Sequence, residues 1–193
     1  FGHFTFSRQA DNTPVFSYAI ERMEMPDGQP TVLVQDALWP RLSADGAKLS
    51  YLDVLSNRLM VSDAEGMNPA SVLPTADLST VDAPLLSPDG QWLYFSAVPV
   101  QATPTFSWLD WALGVRVAEA HNQPSDWWRL SLQDRQLEQV THLAAIGLYG
   151  DFTADGQHLI FGSSTGLFVM EPDGAGLTQL QTIQSIGTVD WMP

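Results

Sequence analysis

Leu86-Ser87-Pro88-Asp89-Gly90-Gln91-Trp92-Leu93-Tyr94-Phe95-Ser96 is the stretch that decides the fold of this chain. Its first half recurs as Leu42-Ser43-Ala44-Asp45-Gly46 and as Phe152-Thr153-Ala154-Asp155-Gly156. Asp-Gly is a common turn dipeptide, because both residues tolerate a positive φ. After each copy, large apolar residues return at every second position, which is the period of a β-strand. The three copies therefore predict three β-hairpins of one repeated unit.

A second turn is expected further along each unit, between two short apolar runs. The four candidates are Met25-Pro26-Asp27-Gly28, Ala64-Glu65-Gly66, Gln133-Asp134-Arg135 and Glu171-Pro172-Asp173-Gly174. The N-terminal segment 2–7 adds a fourth copy of the strand, with Phe4 and Phe6 at the positions of Leu93 and Phe95. The chain is therefore predicted to contain four units, each a meander of four short antiparallel strands.

Four-stranded units that repeat at intervals of roughly 40 residues are typical of a β-propeller. Helical repeats are excluded by the alternation of apolar residues at every second position. We expect a single all-β propeller domain over 1–193. Blade 1 is assigned to 1–35 together with 185–193, blade 2 to 36–76, blade 3 to 77–143 and blade 4 to 144–184.

The two ends of the chain fall at the same point of the repeat. Segment 185–193 is similar to the strand that leads into the Ser-Pro-Asp-Gly turn, with Pro193 matching Pro88, and Phe1 resumes about where Gly90 stands. We expect segment 185–193 to supply the first strand of blade 1 and to close a ring of four blades without exposed edges. The same match between the two chain ends would occur in an arc of a larger ring, or in two chains that together complete one ring.

The quoted phrases resemble the WD-like repeats of TolB-type propellers, most closely over 84–96 and 152–180. The resemblance implies the propeller fold and an extracytoplasmic place in a bacterium, either the periplasm or the cell surface. Such propellers serve as interaction modules and as companion domains of peptidases, so function has to be argued from sites. The chain departs from the pattern at Arg41, at Gly150 in place of proline, and at Gln133-Asp134-Arg135.

Composition limits the partners. The net charge is −14, with 8 lysine and arginine residues against 22 acidic ones. Nucleic acids and anionic membranes both need a basic surface, so neither is an expected partner. No apolar stretch approaches the roughly 20 residues that span a bilayer, and we expect membrane association only through an anchor outside these residues or through a membrane-protein partner. The absence of cysteine excludes disulfides and thiolate chemistry.

An insertion enlarges blade 3. The distance from Asp45 to Asp89 is 44 residues, whereas that from Asp89 to Asp155 is 66, and the surplus is assigned to 99–125. Residues 105–120 are predicted to form a helix with a broad apolar face. We predict that this face docks a protein partner. The alternatives are that it packs on the propeller and covers its surface, or that it lies on a membrane surface. Its residues are Phe106, Trp108, Leu109, Trp111, Leu113 and Val115.

No pattern for an enzyme or a cofactor emerges. The turn aspartates should gather at one end of the domain. A structural role in the turns explains their presence, and a Ca²⁺ site is the alternative. The segment 162–166 matches a nucleophile elbow formally, but it lies between two strands and no histidine follows it, which predicts a hairpin loop. The four histidines lack the spacing of a metal site. We therefore expect no catalytic residue, metal or cofactor.

These inferences combine into one prediction of function. The chain is expected to be a non-enzymatic, extracytoplasmic binding or assembly module, a subunit of a larger complex that docks through the inserted helix. One alternative is a companion propeller of a hydrolase or peptidase. The other is a propeller whose central channel binds a small ligand or an oligosaccharide.

Overall fold

Four antiparallel sheets make up the computed structural model, which describes residues 1–9, 11–73, 78–99 and 123–182. Sheet 1 consists of β1 (Gly2–Arg8), β2 (Pro14–Arg22) and β3 (Thr31–Gln35). Sheet 2 consists of β4 (Ala37–Leu42), β5 (Lys48–Asp53), β6 (Arg58–Asp63) and β7 (Ala70–Ser71). Sheet 3 consists of β8 (Leu78–Leu86), β9 (Trp92–Pro99), β10 (Asp126–Ser131) and β11 (Leu137–Gln139). Sheet 4 consists of β12 (Tyr149–Phe152), β13 (Leu159–Ser163), β14 (Gly166–Met170) and β15 (Thr178–Gln181).

Each sheet is a meander in which sequence neighbours pair, and the sheets are hereafter called blades 1 to 4. The predicted all-β architecture is confirmed, and no helix occurs within the described ranges. The predicted helix at 105–120 lies outside the described residues. Blade 1 has three described strands, and its turn at 24–30 corresponds to the turn between the third and fourth strands of the other blades. Strand β1 therefore takes the place of a second strand.

The hydrophobic core lies between the blades, as expected for a propeller. Among the described residues, three buried clusters join consecutive blades. Blades 1 and 2 share Ile20, Ala37, Leu49 and Tyr51. Blades 2 and 3 share Leu52, Leu59, Leu93, Phe95 and Leu130, among others. Blades 3 and 4 share Tyr94, Trp127, Phe152, Leu159, Phe161 and Phe168, among others.

Blades 2 and 4 also meet at the centre, although they are not consecutive. The rings of Trp39 on β4 and Tyr149 on β12 lie 5.3 Å apart between centroids. Next to them, the Arg41 guanidinium lies 3.7 Å from the Asp151 carboxylate. Both strands are the first of their blades, so these contacts bring two innermost strands together across a common axis.

The meander places its connections alternately at two ends of the domain. One end, which we call the turn face, carries the first-to-second and third-to-fourth turns of the blades. Turns of blades 3 and 4 come together there, since Asp89, Asp155 and Pro172 line one cleft. The opposite end carries the second-to-third connections, including the insertion at 99–125, and is called the insertion face.

Hydrogen bonds explain the aspartates of the Asp-Gly turns. The Asp45 carboxylate accepts a hydrogen bond from the Ser43 hydroxyl and another from the Ala47 N–H at 3.0 Å. Asp89 and Asp155 make the equivalent pairs of bonds in their own turns. The hydroxyl bond, followed by the backbone N–H bond, lowers the pKa of Asp45 and of Asp155. The prediction that turn chemistry explains these residues is confirmed.

Two glycines of these turns should respond differently to alanine. Gly174 has a φ of +90°, and a Cβ there would overlap the carbonyl oxygen of Val140. Gly46 has a φ of +69°, but a Cβ there would meet no atom within 4 Å. We expect Gly46→Ala to destabilise the fold by about 1–2 kcal/mol through backbone strain alone. Gly174→Ala should destabilise it by about 1–2 kcal/mol more, because of the overlap. Urea unfolding of both variants checks this, and equal losses would contradict it.

Candidate protein interaction surfaces

The hairpin of β1 and β2 projects from the insertion face. The Asp36 N–H donates to the Tyr18 carbonyl, and the Val54 N–H donates to the Asp36 carbonyl. Tyr18 is therefore level with the point where the β5–β6 hairpin of blade 2 ends. Residues 14–17 and their partners on β1 continue past this level. At about 3.4 Å per residue, these four residues extend the hairpin by about 14 Å.

Three phenylalanines form an exposed aromatic patch on this hairpin. Phe4 pairs with Tyr18 and Phe6 with Phe16, so all four side chains lie on one face of the ribbon. Phe4, Phe6 and Phe16 are 52%, 51% and 42% exposed. The ring of Phe16 lies 5.9 Å from that of Phe4 and 5.3 Å from that of Phe6. We call these three residues the hairpin patch.

The exposure of the hairpin patch distinguishes it from the matching residues of blade 3. Phe4 and Phe6 were expected at the positions of Leu93 and Phe95, which are fully buried. The predicted strand is present as β1, but its phenylalanines are exposed because the next residue of this face, Ile20, packs into the core between blades 1 and 2. That contact fixes the hairpin in a register in which the phenylalanines come level with, or beyond, the end of blade 2.

The predicted docking residues lie outside the described part of the chain. Phe106, Trp108, Leu109, Trp111, Leu113 and Val115 all belong to 100–122. Their point of attachment is described, because β9 ends at Pro99 and β10 begins at Asp126. The insertion therefore leaves from the face on which the hairpin patch lies. Leu55, in the turn of blade 2 at this same face, is 79% exposed.

A central cavity of about 510 Å³ lies near the turn face. All four blades contribute to it, and its lining includes the ends of β2 and β4. Its charged residues are Glu21, Arg22, Arg41 and Asp151, and its apolar residues include Phe1, Ile20, Met23, Leu33, Pro40, Leu42, Leu49 and Leu85. The described lining is thus of mixed polarity, with two cationic and two anionic side chains among apolar ones. A second cavity of about 410 Å³ adjoins it at Phe1, Pro40 and Arg41.

Four exposed apolar side chains lie at the turn face, and two of them line the larger cavity. Met23 and Leu42 line it and are 37% and 58% exposed. Met25 and Met67, in third-to-fourth turns of the same face, are 76% and 62% exposed. Sequence analysis missed this surface, because its four residues come from three separate segments. Their position next to the turns was the available signal.

Two of the sequence candidates for chemistry, the elbow-like segment and the acidic side chains, belong to the described residues. Segment 162–166 joins β13 to β14 as a hairpin, as predicted. The described residues contain no group of three or more histidine, aspartate or glutamate side chains placed to hold a metal ion. They also contain no helix long and apolar enough to cross a membrane.

Comparison with solved structures identifies a β-propeller. TolB from Acinetobacter baumannii is 18% identical over 86% of this chain and 37% of its own, with a TM-score of 0.61. A putative TolB from Agrobacterium tumefaciens is 14% identical over 93% of this chain and 62% of its own, with a TM-score of 0.62. An acylaminoacyl peptidase from Pyrococcus horikoshii is 13% identical over 95% of this chain and 31% of its own, with a TM-score of 0.56.

The likeness establishes the fold. The resemblance to TolB-type propellers is confirmed at this level, and the same fold recurs in the peptidase. No family model matches the chain, and no curated protein sequence matches it. The chain spans between 37% and 62% of the length of the two TolB proteins. At these identities a shared fold does not transfer an activity.

Proposed function

We propose that this chain is a non-enzymatic binding module that docks a protein partner on its insertion face. The hairpin patch carries this proposal. Three clustered aromatic rings are about half exposed on a hairpin that projects from the domain. Exposed, contiguous aromatic surface is typical of protein interfaces, where a few aromatic residues supply most of the binding energy.

The apolar side chains of the hairpin patch and the net charge of the chain indicate which kind of partner would bind. A projecting ribbon with three phenylalanines fits an apolar groove. The net charge of −14 opposes association of two copies of this chain and favours a partner whose groove has a basic border. The partner is therefore a protein other than a second copy.

The insertion is proposed as the second part of the same docking surface. Its six predicted docking residues belong to a segment that leaves from the insertion face, between Pro99 and Asp126. Two aromatic elements on one face would bury more area than either alone, in the range that stable complexes need. The module then acts as a subunit of a larger complex.

An extracytoplasmic location is part of the proposal. It is supported by the fold shared with TolB proteins. A companion domain of a peptidase is the second candidate function, since the Pyrococcus horikoshii acylaminoacyl peptidase contains a similar propeller. A hydrolase sequence in the same gene product would favour this second candidate.

A closed ring of four blades is the proposed architecture. Phe1 and Glu21 form a hydrogen-bonded pair, in which the N–H of each residue donates to the carbonyl of the other. Along β1, every second residue therefore bonds to β2, and the residues between them do not. The N–H groups of Gly2 and Phe4 therefore point away from β2, toward the side on which other blades have their first strand. The contacts between blades 2 and 4 across the axis support a small ring. Segment 185–193 supplies the missing strand in this proposal.

Substitution of the hairpin patch tests the docking proposal. We expect Phe6→Ser combined with Phe16→Ser to weaken binding of the partner by about tenfold or more, because two aromatic anchors are lost. Leu180→Ser is the matched control, since Leu180 is 54% exposed on the outer strand of blade 4. The measurement is the dissociation constant of the complex purified from the native cells. Equal affinities of the parent, the double variant and the Leu180→Ser control would refute docking through the hairpin patch.

A second pair of substitutions tests the insertion. We expect Trp108→Ala with Trp111→Ala to weaken the same complex by about tenfold. The free energy of unfolding should stay within about 0.5 kcal/mol of the parent if these side chains face a partner. A loss of stability with unchanged affinity would make the insertion a cover for the propeller.

A further inference from the structure

We infer that the protein partner adds a β-strand to the outer edge of β2, next to Phe16 of the hairpin patch. The inference rests on the proposed docking function and states the conformation and chemistry of the segment that binds. This segment is extended, with apolar side chains on the face of the hairpin patch and polar, basic side chains on the opposite face. An open strand edge, the direction of its backbone groups and the chemistry of its two faces support the inference.

The projecting part of β2 has a neighbouring strand on only one side among the described residues. On that side, residues 14–17 pair with β1. On the other side, pairing with β3 ends at Ala19, which lies opposite Gln35. The chain then turns at Asp36, which has a φ of +52° and whose N–H donates to the Tyr18 carbonyl. Residues 14–17 therefore leave an open edge, about 14 Å long at about 3.4 Å per residue.

Phe16 directs its backbone groups toward this open edge. In an antiparallel ladder, hydrogen-bonded pairs recur at every second residue, and Phe1 with Glu21 is such a pair. Val15 and Ser17 consequently bond to β1, whereas the N–H and C=O of Phe16 point away from it. The described residues supply no hydrogen-bond partner for either group. A strand placed beside Phe16 would pair with both, and main-chain hydrogen bonds of this kind supply affinity when a peptide extends a sheet.

The open edge has little protection against strand addition. Proteins commonly protect such edges with charged side chains or with proline. Segment 14–17 reads Pro-Val-Phe-Ser and contains no charge. Pro14 lacks an N–H but keeps its C=O, which points outward like that of Phe16. The edge therefore accepts a short strand, with Phe16 near its centre.

The two faces of the hairpin select the side chains of the added strand. On the patch face, the ring of Phe16 lies 5.3 Å from that of Phe6 on one side, and an apolar residue of the added strand would lie on its other side. The opposite face carries Thr5 and Ser17, whose hydroxyl groups are hydrogen-bonded to each other. A segment that alternates apolar and polar residues matches both faces. The net charge of −14 favours lysine or arginine at the polar positions.

The test uses a fluorescent nine-residue peptide in which valine and lysine alternate, with binding followed by anisotropy at physiological salt. A control peptide has the same composition, but its valines and lysines come in pairs, so each face of the extended peptide is mixed. Phe16→Ser removes the ring, and Phe16→Pro removes both the ring and the outward N–H. Proline is tolerated on an edge strand where its N–H would face solvent. Leu180→Ser is the exposed control on blade 4.

We expect the alternating peptide to bind the parent and Leu180→Ser equally, and Phe16→Ser about tenfold more weakly. Phe16→Pro should bind at least tenfold more weakly than Phe16→Ser, because a backbone hydrogen bond is lost and the proline ring obstructs the approach of a strand. The paired-order peptide should bind the parent at least tenfold more weakly than the alternating one. Equal affinities of Phe16→Ser and Phe16→Pro would overturn the inference, as would equal affinities of the two peptides.

Amide hydrogen exchange tests strand addition without any substitution. In the parent, a saturating concentration of the alternating peptide should slow exchange of the Phe16 N–H at least tenfold. The Thr5 N–H, which faces β2, should change little, because it is already hydrogen-bonded within the hairpin. Unchanged exchange at Phe16 would overturn the inference. The same experiment on Phe16→Pro, read at Thr5, shows whether the hairpin is retained in that variant.

Failure of strand addition is distinguishable from failure of the proposed function. If Phe6→Ser with Phe16→Ser weakens the native complex but the alternating peptide does not bind the parent, docking through the hairpin patch stands and strand addition falls. If the peptide protects the Phe16 N–H but the double variant leaves the native complex unchanged, the edge accepts extended peptides and the docking proposal falls. Concentration-dependent dimerisation that Phe16→Pro abolishes would assign the edge to a second copy of this chain and overturn the partner strand.

Discussion

Trp127→Ala is expected to lower the free energy of unfolding by about 3–5 kcal/mol, because it removes a large, fully buried side chain between blades 3 and 4. The Trp127 ring packs edge to face on Phe161, with centroids 5.9 Å apart. Phe161 in turn stacks on Phe168 at 5.3 Å. The cavity left by alanine would therefore separate three aromatic rings that join two blades. Urea unfolding measures the loss.

Trp127→Phe is the informative control. The indole Nε1–H of Trp127 is buried without a hydrogen-bond partner, so phenylalanine removes an unsatisfied donor together with part of the ring. We expect a loss of about 1–2 kcal/mol, smaller than that of alanine, since the recovered desolvation penalty offsets some of the lost packing. If phenylalanine destabilised the fold as much as alanine does, this account of the blade interface would be contradicted.

Removal of residues 183–193 is expected to destabilise the fold by about 3–6 kcal/mol. A closing strand buries apolar side chains against blade 1, and two such side chains contribute roughly this much. Amide hydrogen exchange reports the same event locally. In the full chain the N–H groups of Gly2 and Phe4 should be protected, and after truncation they should exchange at the rate of exposed amides.

The neighbouring amides serve as an internal control. The N–H groups of His3 and Thr5 point toward β2, because these residues alternate with Gly2 and Phe4 in the same way as Phe1 does. They should keep more protection than Gly2 and Phe4 after truncation. Unchanged stability and unchanged exchange on truncation would contradict the closed ring and favour an arc of a larger propeller.

The turns and the architecture were predictable from the sequence because their chemistry is local. Each Asp-Gly phrase contains the carboxylate, the hydroxyl and the residue with positive φ that build the turn, as Ser43, Asp45 and Gly46 do. The alternation of Leu93 and Phe95 likewise places both in the core without further information. Repetition of these local signals was enough to predict blades.

The surfaces were less predictable because they depend on register and on distant segments. Phe4 and Phe6 follow the same alternation as Leu93 and Phe95, yet the packing of Ile20 places them outside the core. The contact between Trp39 and Tyr149 depends on how blades 2 and 4 meet at the axis. Periodicity along one strand contains neither piece of information.

Photo-cross-linking at position 16 tests the central claim most directly. Phe16 is replaced by benzoylphenylalanine in the full-length protein within its native cells, and the same residue is placed at Leu180 as a control. Both positions are exposed, at 42% and 54%, but only the first lies in the hairpin patch. The account predicts that position 16 cross-links one protein in high yield and that position 180 does not. Absence of a specific cross-linked partner at position 16 would contradict docking on the insertion face.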